Sequence, residues 1–170
     1  MDENKKIKWG ILGCGKIAHK FVSDLALSDS GVLYACASRN EDQAREFAHK
    51  YEAKVYFNNY LSLAACDEVD VIYIATPHSF HFEQTLLCLN HNKHVLCEKP
   101  MGLNEKQVKT MISEANKHQV FLMEAMWTAF LPAIQGALKV IHEGVLGEIR
   151  HIKADFGFQA GFDPQSRLFN

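Results

Sequence analysis

Two glycines near the amino terminus, Gly13 and Gly15, separate an apolar segment from residues of helical composition. A strand, a glycine turn and a helix in this order aim unpaired N–H groups and a positive dipole end at an anion. In such a site Gly13 permits the tight turn, and Gly15 lets the backbone approach a pyrophosphate. The small Ala18 lets the helix, which starts at Lys16 and Ile17, pack close to the strand. The spacing predicts a dinucleotide-binding turn, although S-adenosylmethionine-binding folds and ordinary strand–helix turns share it.

A lysine that follows an apolar segment, in the stretch Glu98-Lys99-Pro100, is the candidate catalytic group. An ammonium at a strand end, facing a site of hydride transfer, would hydrogen-bond a substrate hydroxyl and stabilise the alkoxide that develops there. The alternative interpretation is an ordinary surface lysine.

Polar residues also follow the apolar segment that ends at Ala75, namely Thr76, Pro77 and, at a predicted helix start, His81. They would line a cofactor cleft, and the alternative is a helix-capping loop with surface histidines. Trp127 follows the last predicted strand and would form a wall of the pocket. A large aromatic residue in such a place is more often part of a core or an interface.

The end of the second predicted strand bears on the choice of nucleotide. NAD-preferring folds place an acidic residue there for the ribose 2′-hydroxyl. This chain has Ser38 and Arg39 instead, and no acid before Glu41. A hydroxyl beside a guanidinium suits a 2′-phosphate, and Arg39 could also stack on adenine. The pattern favours NADP over NAD and weakens the methyltransferase interpretation. The alternative is that Ser38 and Arg39 bind no ligand and form a capped helix start with a solvated arginine.

The elements that must position these residues alternate along the chain. Short apolar segments predict six strands, with helices between them, at residues 7–12, 31–37, 55–57, 69–75, 94–98 and 120–124. Alternating strands and helices predict an α/β fold with a doubly wound, mainly parallel, Rossmann-like sheet. The carboxyl ends of its strands would meet at one edge, where open sheets of this kind bind ligands.

After Gly147 the pattern changes, because residues 149–158 alternate between two faces, one of them apolar. The alternation predicts the first strand of an incomplete α+β carboxyl-terminal domain. We therefore expect residues 1–126 to form the dinucleotide-binding domain. Residues 127–170 would supply a linking helix and the start of a truncated substrate or oligomerisation domain. A lone strand cannot bury its apolar face, so the chain is either a fragment or covered there by a partner.

Composition narrows the class of protein. The chain has 170 residues, 48% of them hydrophobic and 22% charged, which is an ordinary globular mixture. The net charge of -2 argues against a nucleic-acid partner, and no apolar run is long enough to cross a membrane. Five cysteines without metal-ligand spacing indicate thiols in a reducing compartment and no metal site. The absence of a signal peptide completes the expectation of a cytoplasmic protein.

Taken together, Gly13 to Ala18, Ala75-Thr76-Pro77 with His81, and Glu98-Lys99-Pro100 resemble the Gfo/Idh/MocA oxidoreductase family. Two further stretches, Met123 to Thr128 and Phe162 to Phe169, are similar to its dimeric dihydrodiol dehydrogenase-like branch. The resemblance covers essentially the whole chain, in order and in spacing.

The resemblance implies hydride transfer between NAD(P) and a hydroxyl or carbonyl carbon of a sugar, polyol or diol. It implies that Glu98 and Lys99 contact the cofactor, with Lys99 next to the nicotinamide, and that Pro100 follows a cis peptide bond. Ser38 and Arg39 would take the 2′ position of the nucleotide. It also implies a homo-oligomer in the full-length form.

The chain departs from the family pattern in two respects. Ala129 stands where this branch often has arginine, so a cationic contact near the cofactor is missing. The family is roughly twice as long, which fits a second domain that carries the substrate site. We therefore expect a truncated chain with weak or no turnover alone. The alternative is a non-catalytic NAD(P)-binding sensor or partner-binding module.

Overall fold

The computed structural model describes residues 6–157, 159 and 161–164. The chain separates into two compact units, Met1–Met126 and Trp127–Asn170. The first unit is a six-stranded sheet with helices, and its strands are β1 (Ile7–Leu12), β2 (Gly31–Ala37), β3 (Val55–Phe57), β4 (Val71–Ile74), β5 (His94–Cys97) and β6 (Leu122–Glu124). The helices between them are α1 (Lys16–Leu25), α2 (Glu41–Tyr51), α3 (Tyr60–Ala64), α4 (His81–Asn90) and α5 (Glu105–His118).

All strand pairs in the sheet are parallel, and the strand order is β3-β2-β1-β4-β5-β6. This is the doubly wound, Rossmann-like α/β sheet that the alternating pattern predicts, so the predicted fold class is confirmed for this unit. The register places the last residues of all six strands in one row: Phe57, Ala37, Leu12, Ile74, Cys97 and Glu124. The residues that follow these ends therefore share one edge of the sheet.

Both faces of the sheet are covered, which explains the nearly continuous apolar runs of the central strands. Ile11 and Leu12 are fully buried and contribute to two separate apolar clusters, one on each face. Three helices begin with an asparagine whose side chain accepts a hydrogen bond from the third residue after it: Asn40, Asn59 and Asn104. These caps satisfy amides that would otherwise lack a partner and so fix where the helices start.

The second unit contains a 3-10 turn at Trp127–Phe130 and helix α6 (Pro132–His142). Pro132 occupies the first turn of α6, where a missing N–H costs nothing. No helix among the described residues is long and apolar enough to cross a bilayer.

The prediction of a strand over residues 149–158 is wrong where the structure describes them, because residues 149–157 form no strand. A strand needs a neighbour for its backbone N–H and C=O groups, and the described part of the second unit contains no other strand. Alternating side chains alone do not supply that neighbour. Phe158 and residues 165–169 of the Phe162-to-Phe169 stretch lie outside the described residues.

All five cysteines are free thiols, and Cys66 is the one that is only half-buried. Burial raises the pKa of Cys97 to about 12 and also raises that of Cys88. The pKa of Cys36 is raised by its hydrogen bond with Cys14 and by burial. The thiolate is the nucleophile, so buried thiols with raised pKa values react slowly.

We expect iodoacetamide near neutral pH to modify Cys66 first and the four buried thiols only after unfolding. Mass spectrometry of time points in native buffer and in denaturant would measure the order. The Cys66→Ser variant should lose the fast reaction, and modification of Cys97 at the rate of Cys66 would contradict the burial described.

Candidate functional site

The glycine turn after β1 divides its two glycines between different tasks. Gly13 has a φ of +96°, and a Cβ there would lie 2.7 Å from Cγ2 of Thr76. Its amide donates to the carbonyl of Ala37, so the turn is bonded to the end of β2. Gly13 is therefore required by the fold itself, both by its backbone conformation and by the close approach of the Thr76 loop.

Gly15 has no such requirement within the protein. Its φ of -86° and ψ of -175° suit any residue, and a Cβ there would meet only the Ala75 carbonyl oxygen, at 3.9 Å. No side chain caps α1 at Gly15, and the first turn of α1 contains no acid. The space that a Cβ would fill lies beside the first-turn amides of α1, which have no acceptor within the helix. This is the cradle that an anionic group fits.

The other residues of this turn lie where the sequence predicts them. Ala18 is fully buried on the inner face of α1, in the cluster that contains Ile11. Lys16 and Ile17 are exposed at the start of the helix. Ala18 thus serves packing, while Lys16 presents a cation at the same helix end.

Ser38 and Arg39 differ in their freedom to bind a ligand. Ser38 is buried; its hydroxyl donates to Oε1 of Gln43 at 2.7 Å and accepts from the Asn40 amide at 3.2 Å. The Arg39 guanidinium lies over the ring of Phe80, with 5.5 Å between its carbon and the ring centre. A 2′-phosphate contact from Ser38 would require its hydroxyl to leave Gln43, whereas Arg39 is exposed and interacts with the Tyr60 hydroxyl as well as with the Phe80 ring.

Two adjoining cavities, of about 240 Å³ and about 300 Å³, lie at this edge of the sheet. The smaller contains the glycine turn, and both are lined by Arg39, Tyr60, Thr76 and Pro77. Burial raises the pKa of the Tyr60 hydroxyl, and the Arg39 guanidinium opposes that rise. The predicted residues Thr76, Pro77 and Arg39 therefore come together around one cleft.

A larger cavity, of about 400 Å³, lies at the opposite edge of the sheet, beside Gly31 at the start of β2. The ends of α1 and α2 line it through Ala26 and Glu52, the residues that cap their carboxyl termini. Carboxyl-terminal helix ends carry partial negative charge, which disfavours a phosphate, while Lys6 and Lys50, which also line this cavity, act in the opposite sense. Size alone therefore does not identify the nucleotide site.

His81 is buried, and both of its ring nitrogens face backbone carbonyl oxygens, so it does not line the cofactor cleft as the sequence predicts. Its Nδ1 lies 2.8 Å from the carbonyl oxygen of Pro100, and its Nε2 lies 2.9 Å from that of Thr76. The side chain joins the loop after β4 to the turn after β5. Its position in the structure indicates a tie between two parts of the site.

The turn that carries Lys99 follows β5 directly. Lys99 is exposed, and the Lys99–Pro100 peptide bond is cis, as the resemblance implies. Glu98 accepts a hydrogen bond from the Tyr73 hydroxyl at 2.6 Å, and the Met101 amide donates to Oε1 of Glu124 at 2.7 Å. Lys99 thus lies in a turn in which the residues on either side of the Lys99–Pro100 pair, Glu98 and Met101, are hydrogen-bonded to Tyr73 and Glu124.

Two roles that the sequence suggests, those of Trp127 and Lys99, stay predictions. Trp127 belongs to the second unit, in the 3-10 turn, and its role as a pocket wall stays a prediction. Among the described residues no group of three or more His, Cys, Asp or Glu side chains could hold a metal ion. Lys99 as the catalytic group likewise stays a prediction.

The sequence assigns no role to several residues of the site, namely Gln43, Tyr60, Tyr73, Phe80 and Glu124. A signal for Glu124 was available, since it ends the predicted strand of residues 120–124, and the structure places it in the row of Cys97. Phe80 lies within the predicted loop between Thr76 and His81. The pairing of Tyr73 with Glu98 depends on the path of two side chains, which no spacing indicates.

Comparison with known proteins gives a consistent result. Residues 7–126 match the oxidoreductase family with an NAD-binding Rossmann fold, GFO_IDH_MocA. The chain is 40% identical over 167 residues to trans-1,2-dihydrobenzene-1,2-diol dehydrogenase of Mus musculus, covering 96% of this chain and 50% of that protein. The Homo sapiens protein of the same name is 40% identical over 154 residues, covering 89% and 46%. The chain thus spans about half the length of these relatives.

Solved structures agree on the fold. A 3-ketoreductase from Actinomadura kijaniata, in complex with NADP and TDP-benzene, superposes with a TM-score of 0.79 at 30% identity, covering 86% of this chain and 45% of that one. Myo-inositol 2-dehydrogenase from Lactobacillus plantarum superposes with a TM-score of 0.77 at 23% identity, covering 85% and 43%. The second similarity concerns the fold alone.

Proposed function

Because the chain belongs to the GFO_IDH_MocA oxidoreductase family, with its NAD-binding Rossmann fold, we propose that it forms the nucleotide-binding part of an NAD(P)-dependent dehydrogenase. The reaction is hydride transfer between nicotinamide and a hydroxyl or carbonyl carbon of a diol, polyol or sugar. The names of the diol dehydrogenases at 40% identity support this substrate class.

The observation that carries the proposal is the contrast between the two glycines of the turn. The fold needs Gly13, because its φ is +96°, whereas neither the backbone conformation nor a contact among the described residues requires glycine at position 15. A glycine that leaves open space beside unbonded helix amides fits a group that must come close to the backbone. The pyrophosphate of a dinucleotide is such a group, so the residues present fit the cofactor.

Each part of the edge has a task in this proposal. The first-turn amides of α1 and the open face of Gly15 hold the pyrophosphate, and Lys16 adds positive charge. Arg39 turns from the Phe80 ring to the adenosine end. Thr76 and Pro77 line the cleft, and His81 holds their loop in place. The nicotinamide, when bound, supplies the chemistry by accepting or giving a hydride.

Lys99 is the catalytic residue in this proposal. Its ammonium donates a hydrogen bond to the substrate oxygen and stabilises the negative charge that develops on it when the carbon–hydrogen bond is broken. Glu98 stays bound to Tyr73, so it positions the turn and leaves Lys99 to face the substrate.

NADP is the preferred cofactor in this proposal, with NAD as the alternative. The end of β2 has no acid for a ribose 2′-hydroxyl, and Arg39 is an exposed cation at that point. Ser38 contributes through the loop that its hydroxyl caps and could bind a phosphate only after turning from Gln43. The 3-ketoreductase with NADP supports the same choice.

The proposal extends to the setting of the protein. The partner is a small-molecule substrate rather than nucleic acid or a membrane, and the full-length form is a homo-oligomer. Its place is the cytoplasm, where the five free cysteines would stay reduced.

The test is calorimetric titration of the chain with NADPH and NADH, together with the variant Arg39→Ala. Loss of a charged contact to the 2′-phosphate should weaken NADPH binding about tenfold or more and leave the NADH affinity unchanged. Arg45→Ala is the matched control, because Arg45 lies nearby on α2 and pairs with Asp42 on its own helix. Equal affinity for both nucleotides would contradict the 2′-phosphate role, and no binding of either at millimolar concentration would contradict the proposed function.

A further inference from the structure

The four residues 98–101 form a turn that side chains, rather than a strand ladder, hold in place. The backbone ladder of β5 ends where the Glu98 amide donates to the carbonyl of Ile74. Beyond that amide, hydrogen bonds to the turn come from side chains on three surrounding elements. Lys99 lies in the middle of this turn and is exposed, so whatever orders the turn also directs its ammonium.

The first contact comes from β4. The Tyr73 hydroxyl donates to Oε1 of Glu98 at 2.6 Å, and the other carboxylate oxygen accepts from the Lys99 amide at 3.2 Å. Tyr73 is buried, and its ring stacks on Phe21 with 4.0 Å between centres. Burial, with the Glu98 carboxylate as the next cause, raises the pKa of the Tyr73 hydroxyl, so this group stays a donor. A rigid aromatic residue thereby fixes the carboxylate that holds the Lys99 amide.

The second contact comes from β6. Oε1 of Glu124 accepts from the Met101 amide at 2.7 Å, and the next residue, Ala125, donates its amide to the carbonyl of Cys97 at 2.7 Å. Glu124 is therefore attached to β5 through the backbone next to it, and its side chain reaches across to the far end of the turn. A carboxylate that accepts from a backbone N–H makes one of the stronger hydrogen bonds in proteins.

The third contact comes from α4, through His81. Its ring lies between the carbonyl oxygens of Pro100 and Thr76, at 2.8 Å and 2.9 Å. The Lys99 and Met101 amides are thus each bonded by a different carboxylate, and the Pro100 carbonyl oxygen lies within hydrogen-bond distance of the His81 ring. Glu124 belongs to β6 and His81 to α4, while Glu98 lies in the turn itself and accepts from Tyr73 of β4, so contacts from three elements hold the turn.

We propose that Tyr73 and Glu124 are positioning residues for Lys99, which fix residues 98–101 before any nucleotide binds. Neither touches the reacting atoms: Tyr73 acts through Glu98, and Glu124 through the Met101 amide. The inference rests on the proposed function only in the catalytic role given to Lys99. The order of the turn is a property of the chain itself.

The test is amide hydrogen exchange, followed by NMR, on the ligand-free chain and three variants. Glu124→Ala should speed exchange of the Met101 amide about tenfold or more, and Tyr73→Phe should do the same for the Lys99 amide. Glu124→Gln should keep Met101 within about threefold of the unchanged chain, because its amide oxygen still accepts. Tyr56→Phe and Glu46→Ala, at exposed sites on β3 and α2, are the matched controls.

Local and global effects separate in the same experiment. Exchange of the β1 amides should stay unchanged in all variants if the contacts order the turn alone. Fast exchange of both turn amides in the unchanged chain would overturn the proposal, as would an equal acceleration of exchange at the β1 amides in the variants.

Addition of NADPH, and separately of 2′,5′-ADP, tests the role of Lys99. We expect the amide resonance of Lys99 to shift on addition of NADPH and to stay in place on addition of 2′,5′-ADP. In Glu124→Ala the shift with NADPH should be smaller, while the affinity for 2′,5′-ADP should be unchanged.

Failure of the two proposals is distinguishable. If NADPH does not bind, the proposed function is contradicted, while the exchange rates without ligand still decide whether the turn is fixed. If NADPH binds and the turn amides exchange freely, Tyr73 and Glu124 lose the positioning role and the nucleotide site stands.

Discussion

Gly13→Ala is expected to lower the free energy of unfolding by about 3 kcal/mol, the sum of backbone strain and overpacking. The φ of +96° suits glycine, and the new Cβ would lie 2.7 Å from Cγ2 of Thr76 and 3.3 Å from the Ala75 carbonyl carbon. Thr76 has little freedom to retreat, because its hydroxyl donates to Gln84. The melting temperature should fall by roughly 10 °C, which is typical of such a loss in a chain of this size.

Urea titration followed by circular dichroism would measure the change. Gly15→Ala is the matched control, since the same chemical change two residues away meets only a contact of 3.9 Å. Equal stability of Gly13→Ala and the unchanged chain would contradict the turn geometry.

Gly15→Ala is expected to abolish most nucleotide binding while the fold stays intact. The backbone at Gly15 suits alanine, but alanine is a poorer N-cap than glycine, which offsets the entropy gain in the unfolded chain; the stability should therefore stay within about 1 kcal/mol of the unchanged chain. The new Cβ would occupy the space beside the first-turn amides of α1, where the pyrophosphate would approach. Loss of charge-assisted hydrogen bonds there should weaken NADPH binding about tenfold to a hundredfold.

Calorimetric titration with NADPH, beside thermal unfolding of the same sample, would separate affinity from stability. The glycine of α6, Gly136, offers a second control, because a Cβ there meets nothing within 4 Å. Unchanged NADPH affinity in Gly15→Ala would contradict the role of this glycine and of the turn as a pyrophosphate site.

The fold of the first unit was predictable because its signals are local and repeat along the chain. The apolar run ending at Leu12 and the cap at Asn104 each indicate one element, and alternation of strands with helices restricts the order in which they pack. The predicted fourth strand was longer than β4, since Val69 and Ala75 are buried but lie outside its bounds, although the Ala75 amide still donates to the carbonyl of Leu12. Burial alone therefore overestimates the length of a strand.

The location of the site was predictable from the sequence, whereas its side-chain hydrogen bonds were not. Parallel strands bring their carboxyl ends together, so Gly13, Arg39, Thr76 and Lys99 had to lie near one edge. The bond between the Ser38 hydroxyl and Gln43 depends on how α2 packs, and spacing does not report this.

The predicted strand over residues 149–158 fails for a related reason. Its alternation describes the side chains, whereas a strand also requires a neighbouring backbone. Contacts between distant segments decide such cases, and a single sequence records them only indirectly.

The central claim is that the carboxyl edge of the sheet binds a nicotinamide dinucleotide. Amide NMR spectra of the chain, recorded during titration with NADPH, test it most directly. We expect saturable shifts at Gly15, Arg39 and Thr76, around the two adjoining cavities. Shifts confined to the opposite edge, around the larger cavity beside Gly31, or no shifts at all, would contradict it.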